Sequence, residues 1–448
     1  MEQPDQSLPM PGEGDIYEPS LCLDDDSLLG MTLAPSAEDM AVPGQDADFH
    51  LWFNHGLAML KLGSWQAARE AFYKVISQIQ EDDLLRSRSY ALLGYSAAKL
   101  GKMDEAIESY HAAIKQDKKC IEALSGLACA LLELGNFDEA MSWAINACQV
   151  RPNNAALHYN YGNIMHRMND HAAAIIAFRH AISIDPSLYP AYVNLGVALA
   201  GLGTYEEAIE QLDYARVLEP ESRRVHTNRG IILARLKRWN DSADAFQSSI
   251  KVAPKIGRNY IILSMVEQCR GNFLEAMVVL NKCIDLELEK SKAFHNLGLI
   301  HSRLKHHDQA VASYLTAIQF KPDYAKAYQS LGREYGSQNQ YEQAQESFTK
   351  AVEFRPSLVE SWMALAELAM IRGANQEAVE LLGSALSHDP FKSEANAAMA
   401  VLQIELGNRK EAMRCYQILE QQKSPQAATI HGLLHSSTDS QDDASTAG

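Results

Sequence analysis

The chain has 448 residues, of which 40 are basic, 57 are acidic and 47% are hydrophobic, and its formal net charge is -17. This share of apolar residues can build a folded core, so the chain cannot be wholly disordered. The acidic balance argues against general binding to nucleic acids or anionic membranes, which needs a positive field.

The acidic residues are concentrated at the two ends of the chain. Residues 1–48 contain twelve acids and residues 425–448 contain three, neither stretch has a Lys or Arg, and the 42 acids and 40 bases between them nearly cancel. Residues 1–48 are also rich in Pro, Gly and Ser, which predicts a disordered acidic tail. Apolar residues interleaved with its acids leave two interpretations open: a linear motif that folds onto a partner, or a solubilising tail without one.

The start of the chain lacks the basic and apolar regions of a secretory signal, and no apolar run approaches the roughly 18 residues that cross a bilayer. The seven cysteines form no CxxC pair, which is typical of reduced intracellular thiols. We therefore expect a cytoplasmic protein without membrane insertion, metal or cofactor, and leave a nuclear or complex-associated location open.

An internal repeat governs the region between the tails. Its clearest sign is a series of prolines spaced 34 residues apart, with Leu288 in the one missing slot: Pro152, Pro186, Pro220, Pro254, Pro322, Pro356 and Pro390. Two series of small residues share this register, for example Gly162 with Gly196 and Ala174 with Ala208. Each repeat contains two stretches of helical periodicity, and the proline after the second cannot continue a helix. We predict an all-α array of helical hairpins, each covering the apolar face of the next.

One repeat carries a nearly complete set of family signature residues: His158, Tyr161, Gly162, Ala174, Phe178, Ala181 and Pro186. This pattern resembles the tetratricopeptide repeat, and the resemblance implies a right-handed superhelical solenoid. We count eleven repeats, at 49–82, 87–120, 121–154, 155–188, 189–222, 223–256, 257–290, 291–324, 325–358, 359–392 and 393–424.

The array has three predicted irregularities. Four extra residues follow the first repeat, and Leu288 and Ser424 replace the proline in the repeats that start at 257 and 393. Residues 425–448 are predicted to form a short cap, in which Ile430, Leu433 and Leu434 cover the last hairpin, followed by a disordered tail.

The resemblance also implies a concave groove lined by positions 2, 5, 6, 9, 12 and 13 of each repeat. Cations recur at positions 2, 9 and 13: Arg224, Arg258, Lys292, Lys326, Arg333, Arg167, Arg235 and Arg303. One interpretation is a positive groove that attracts an acidic ligand. The other is a set of ordinary solvated charges balanced by their neighbours, and the spacing does not decide between them.

Asparagine recurs at position 6, as Asn54, Asn160, Asn194, Asn228 and Asn296. An amide donates and accepts, so a row of amides can bind the backbone of an extended peptide. The row resembles the asparagine ladder of O-linked N-acetylglucosamine transferases. The alternative is a set of hydrogen bonds between helices, without a ligand.

Part of a second family motif, the carboxylate clamp of chaperone-binding members, is matched by Asn163, Asn194 and Arg224. Tyr159 and Asn228 stand where that motif has Lys or Arg. The resemblance therefore does not favour chaperone-tail binding, although the remaining residues could orient a peptide backbone or a single carboxylate.

No catalytic motif occurs, and no segment outside the repeats is large enough for a catalytic domain. Four clustered histidines, His295, His301, His306 and His307, lack the spacing of a helical metal pair. We predict a non-enzymatic scaffold or adaptor that grips an extended, partly acidic segment of another protein. A structural subunit of a larger assembly and a substrate-recruiting partner of a glycosyltransferase remain alternatives.

Nucleic acid is not an expected partner, because the groove lacks regular aromatic platforms. We also expect the acidic tail, residues 1–48, to contact the basic groove of its own chain, because the two carry opposite charge.

Overall fold

The computed structural model describes residues 40–44, 47–79 and 83–442, with side chains up to residue 435. Within these ranges there are 23 helices and no strand, which confirms the predicted all-α class. Most of the acidic tail, and with it the expected contact between tail and groove, lies outside the described residues.

The chain divides between Pro254 and Lys255 into two compact units. The first unit contains six hairpins: α1 (Phe49–Lys61) and α2 (Trp65–Gln78), α3 (Asp83–Lys99) and α4 (Met103–Gln116), α5 (Ile121–Glu133) and α6 (Phe137–Val150), α7 (Ala155–Arg167) and α8 (His171–Ile184), α9 (Tyr189–Gly201) and α10 (Tyr205–Leu218), α11 (Arg223–Arg235) and α12 (Trp239–Val252).

The second unit contains five hairpins and a last helix: α13 (Gly257–Cys269) and α14 (Phe273–Asp285), α15 (Lys290–Arg303) and α16 (His307–Phe320), α17 (Ala325–Ser337) and α18 (Tyr341–Phe354), α19 (Val359–Ile371) and α20 (Asn375–His388), α21 (Ser393–Glu405) and α22 (Arg409–Gln421), then α23 (Gln426–Asp442). We call the first helix of each hairpin its A helix and the second its B helix.

The two helices of a hairpin approach closely at the small residue of position 8. A Cβ added to Gly162 would lie 2.6 Å from Cε1 of Phe178, and one added to Gly298 would lie 2.5 Å from Cε1 of Tyr314. The aromatic ring of the B helix thus occupies the space that a side chain on the A helix would need. This contact explains why glycine recurs at position 8 opposite an aromatic residue.

The repeats that start at 257 and 393, in which Leu288 and Ser424 stand in the proline position, end their B helices differently from the others. In the other repeats the B helix has 14 residues and its C-cap lies outside the helical region, as at Ile79 and Asp185. In α14 and α22 the helix has 13 residues, and Glu287 and Lys423 adopt left-handed backbone angles. The Leu288 amide then donates to the carbonyl of Cys283 over 3.0 Å. This is a Schellman-type helix end, which needs an N–H that proline lacks.

The four extra residues after the first repeat extend a helix. α3 begins at Asp83, before the expected position 87, and has 17 residues, whereas the other A helices have 13 or 14. The insertion therefore adds one helical turn to the start of the second hairpin.

The C-terminal helix α23 packs against α21 and α22. Ile430 and Leu434 are each 2% exposed and join the apolar cluster of the last hairpin, whereas Leu433 is 39% exposed. Two of the three expected cap residues thus cover the hairpin. The helix continues to Asp442, beyond the short cap expected from the sequence.

Five cysteines within the described ranges are free thiols, Cys120, Cys148, Cys269, Cys283 and Cys415, and burial raises the pKa of each.

Candidate peptide-binding face

The A helices of neighbouring hairpins contact one another within each unit. In the first unit α3 contacts α5, α5 contacts α7, α7 contacts α9, and α9 contacts α11; in the second, α13 contacts α15 and α15 contacts α17. We call the surface formed by positions 2, 5, 6, 9, 12 and 13 of the A helices of each unit the A-helix face. Each unit has its own A-helix face.

Four side chains from three successive A helices form one hydrogen-bonded group on the first face, which we call the amide cluster: Tyr159, Asn163, Asn194 and Arg224. The Nδ2 of Asn194 donates to the Tyr159 hydroxyl over 2.9 Å and to Oδ1 of Asn163 over 2.7 Å. Its Oδ1 accepts from the Arg224 guanidinium over 3.3 Å. The three clamp-like residues found in the sequence are therefore brought together.

The other position-6 asparagines differ in their surroundings. Asn160 is buried and donates to the Ser125 hydroxyl over 3.0 Å, and Asn228 is buried on α11. In the second unit, Asn296 donates to the carbonyl of Lys292 in its own helix over 2.9 Å. Asn54 is exposed. The buried amides of Asn160 and Asn194 are thus engaged by the preceding repeat, and their role in binding a peptide stays a prediction.

Sequence reasoning missed Ser125 as the partner of Asn160 and treated Tyr159 only as a departure from the clamp. Both occupy position 5, and each lies 35 residues before the position-6 asparagine that it contacts. His295 and Ser330 repeat this relationship in the second unit, with 3.0 Å between Nε2 and Oγ. These pairs have a sequence signal: a polar residue at position 5 of one repeat and a polar residue 35 positions later, at position 6 of the next repeat.

Arg224 differs from the paired cations of the first unit. It is half-buried, its Nε has no hydrogen-bond partner, and it forms no ion pair with any carboxylate in the described part of the chain. Arg229 on the same helix lies off this face and pairs with Asp213 at 2.9 Å. Arg167 is half-buried on α7 and likewise has no ion pair among the described residues, and Arg235 is half-buried at the end of α11.

The predicted cations of the second unit also differ among themselves. Lys292 pairs with Glu289 at 2.8 Å, so its charge is partly balanced. Lys326 and Arg333 are exposed and form no ion pair in the ranges that the structure describes. Arg258 and Arg303 are half-buried. Solvated balanced charges and unbalanced cations therefore both occur at the predicted positions.

The four clustered histidines occupy separate environments. His295 is buried, and burial together with the charge of Lys326 lowers its pKa to about 4. The rings of His301 and His306 lie 6.0 Å apart, and His307 contacts the buried carboxylate of Glu334. Within the described ranges, no three His, Cys, Asp or Glu side chains are grouped so that they could hold a metal ion. None of the helices described there is long and apolar enough to cross a membrane.

Comparison with known families identifies the class of protein. Sequence models of the family described as Tetratricopeptide repeat match residues 92–149 and 193–255, and a second such model matches residues 155–188 and 291–324. A model described as Cytochrome c-type biogenesis protein H TPR domain matches residues 315–429. The chain is a tetratricopeptide-repeat protein, and its fold belongs to a class of protein-interaction scaffolds.

Individual relatives are distant. The chain is 23% identical over 289 residues to the BBSome complex member BBS4 of Bos taurus. The aligned region covers 62% of this chain and 54% of that protein. It therefore spans about half the length of this curated relative. Yeast Tom70 superposes with a TM-score of 0.50 at 14% identity, covering 87% of this chain and 96% of Tom70, which shows the shared fold. The APC/C hetero-tetramer Cut9-Hcn1 gives a TM-score of 0.40 at 13% identity, covering 79% of this chain and 83% of that chain.

Proposed function

We propose that the protein is a non-enzymatic adaptor that binds an acidic segment of a partner protein on the A-helix face of its first unit. The observation that carries this proposal is Arg224: a half-buried guanidinium on that face without a carboxylate partner among the described residues. A half-buried cation that lacks a counter-ion favours an anionic ligand, because water screens its charge less than it screens a fully exposed one.

The amide cluster prepares Arg224 for such a ligand. Asn194 is held by Tyr159 and Asn163, and its remaining oxygen accepts from Arg224. Restricting the side chain in advance lowers the entropy lost on binding. A guanidinium has five donors in a fixed planar fork, so one bond to Asn194 leaves donors for a carboxylate.

Arg167 supports the proposal as a second cation without an ion pair on the same face. Because the two cations lie on different helices, α7 and α11, they match an extended peptide segment with more than one acidic side chain. A peptide whose single terminal carboxylate is its only negative charge would pair with just one of them. The buried asparagines contribute by fixing the helices and Arg224, rather than by offering a row of free amides.

Affinity purification from cells, quantified by mass spectrometry, tests this proposal. The full chain is compared with Arg224→Glu and with the matched control Lys251→Glu, which reverses an exposed cation on the B helix α12. We expect Arg224→Glu to deplete a subset of partners that Lys251→Glu retains. The same partners in all three samples would contradict a role for Arg224.

A second candidate is a structural subunit of a larger assembly, which the likeness to a named complex member favours. Leu274 and Val278 project from the B helix α14 and are 79% and 58% exposed, and their spacing places them on one side of it. Contiguous exposed apolar side chains mark interaction surfaces. Changing both to Asp should then release the protein from its complex in size-exclusion chromatography, whereas Arg224→Glu should not.

A further inference from the structure

A cavity of about 600 Å³ opens on the A-helix face of the second unit. Its walls come from α17, α19 and α21, with aromatic and aliphatic side chains of the B helices α18 and α20 behind them. From α19 it receives positions 2, 5, 6, 9, 12 and 13, which are the positions of the A-helix face. The cavity is thus part of a surface that remains open to a ligand.

The cavity is lined mainly by apolar and adaptable side chains. Met363, Met370 and Ile371 lie along α19, and the last two are 36% and 56% exposed. Methionine is flexible and polarisable, so it adapts to differently shaped apolar groups. Gly336 on α17 leaves the opposite wall open, because a Cβ added there would meet nothing within 4 Å.

Both charged side chains that α19 contributes to the cavity are carboxylates, and they favour a ligand of the opposite polarity to the one proposed for the first unit. Three charged side chains line it, Arg333, Glu360 and Glu367. Glu360 pairs with Lys392 at 3.3 Å. Burial opposes its ionisation, but hydrogen bonds from its own backbone and from Lys392 outweigh this and hold its pKa below the ordinary value.

Two of the lining charges, Glu367 on α19 and Arg333 on α17, form no ion pair among the residues that the structure describes. Glu367 is exposed between Met363 and Met370 on the same helix. An acidic segment laid across α19 would meet two carboxylates, whereas a basic side chain beside an apolar one would find both an acceptor and a cavity.

We propose that this cavity is a second peptide-binding site, which takes an apolar side chain of a partner segment and pairs an adjacent Lys or Arg of that segment with Glu367. The two units then recognise segments of opposite charge. The proposal does not depend on Arg224, since the cavity is lined by the second unit alone.

A random-peptide library displayed on phage, selected against the immobilised full chain, provides the probe. Parallel selections use Gly336→Phe, which fills the cavity, and Gly383→Phe, a control in α20 where an added Cβ also meets nothing within 4 Å. Peptides lost with Gly336→Phe and kept with Gly383→Phe should combine Leu, Ile, Met or Phe with a neighbouring Lys or Arg. The proposal is overturned if no peptides are lost, or if those lost are acidic.

Fluorescence anisotropy on one such peptide then tests the charge pair. Glu367→Lys should weaken its binding about tenfold, because an attractive pair becomes repulsive. Glu346→Lys, an exposed carboxylate on the B helix α18, should leave it unchanged. Equal loss in the two variants would contradict a specific role for Glu367.

Arg224→Glu should also leave the affinity for this peptide unchanged. A loss of binding with Arg224→Glu would place the peptide on the first unit and refute the second site. A result that refutes the second peptide-binding site is therefore distinct from a result that refutes binding of an acidic segment on the first unit.

Discussion

Asn194 in α9 donates a hydrogen bond to Asn163 in α7 over 2.7 Å, so a buried amide of one repeat is satisfied by a buried amide of the repeat before it. The same Nδ2 donates to Tyr159, and the Asn194 oxygen accepts from Arg224. The amide therefore joins neighbouring repeats and positions the cation proposed to bind a ligand.

Replacing Asn194 with Ala should lower the free energy of unfolding by about 1–3 kcal/mol, because Asn163 loses a buried partner. Asn54→Ala is the matched control, since Asn54 occupies the same position of the first repeat but is exposed. We expect a change near zero for Asn54→Ala in urea unfolding followed by circular dichroism. Equal effects would show that the amide cluster adds no stability.

Glycine at position 8 should tolerate no side chain where an aromatic ring faces it. Gly162→Ala places a Cβ 2.6 Å from Phe178 and should destabilise the array by about 1–3 kcal/mol through overpacking. Gly336→Ala meets nothing within 4 Å and should stabilise by about 0.5–1 kcal/mol, because Ala is the better helix former. Thermal unfolding of both variants checks the opposite signs.

Replacing Leu288 with the proline found at this position in most repeats should lower the free energy of unfolding. Leu288→Pro removes the amide that bonds to Cys283, and proline disfavours the left-handed angles of the preceding Glu287. We expect a loss of about 1–3 kcal/mol in urea unfolding. A stabilised variant would mean that α14 adopts the 14-residue form of the other B helices.

Two histidines should make stability depend on pH. Burial, then the neighbouring His171 and Arg167, lowers the pKa of His166 from 6.5 to about 4. Burial, then the charge of Lys326, does the same for His295. Because the unfolded chain binds protons more readily than the folded one, stability is fully present above about pH 6.5 and is lost as the pH falls towards 4.

Each histidine contributes at most about 1.4 kcal/mol per pH unit across that window. His295→Gln should therefore reduce the slope of unfolding free energy against pH, whereas His111→Gln, at an exposed position, should not. Parallel curves for His295→Gln and the unaltered chain would contradict the prediction.

The sequence predicted the repeat architecture because its signals are local and recur. Glycine at position 8, the aromatic residue sixteen positions later and the proline after the B helix each report a contact within one hairpin, as Gly162 and Phe178 show. The helix end at Glu287 was not predicted, since a left-handed Glu has no sequence signature as clear as that of Gly.

The site was only partly predictable from the sequence. The repeat positions placed Asn163, Asn194 and Arg224 together, as the structure does. Whether an asparagine at position 6 faces solvent or the neighbouring repeat depends on the residue 35 positions earlier, and the pattern at position 6 alone does not include that residue. The pairing of Lys292 with Glu289 was missed because it depends on the local turn before α15. The cavity beside Glu367 depends on volumes contributed by five helices, which no single pattern records.

Site-specific photocross-linking in cells tests the central claim most directly. A photoreactive residue is introduced in place of Glu133, an exposed position-13 residue of α5 on the A-helix face, or of Lys251 on α12. We predict partner cross-links from position 133 that are absent from position 251 and strongly reduced when Arg224→Glu is combined with the probe at 133. The same partner cross-linked from position 251 and not from 133, or unaffected by Arg224→Glu, would contradict binding on the A-helix face of the first unit.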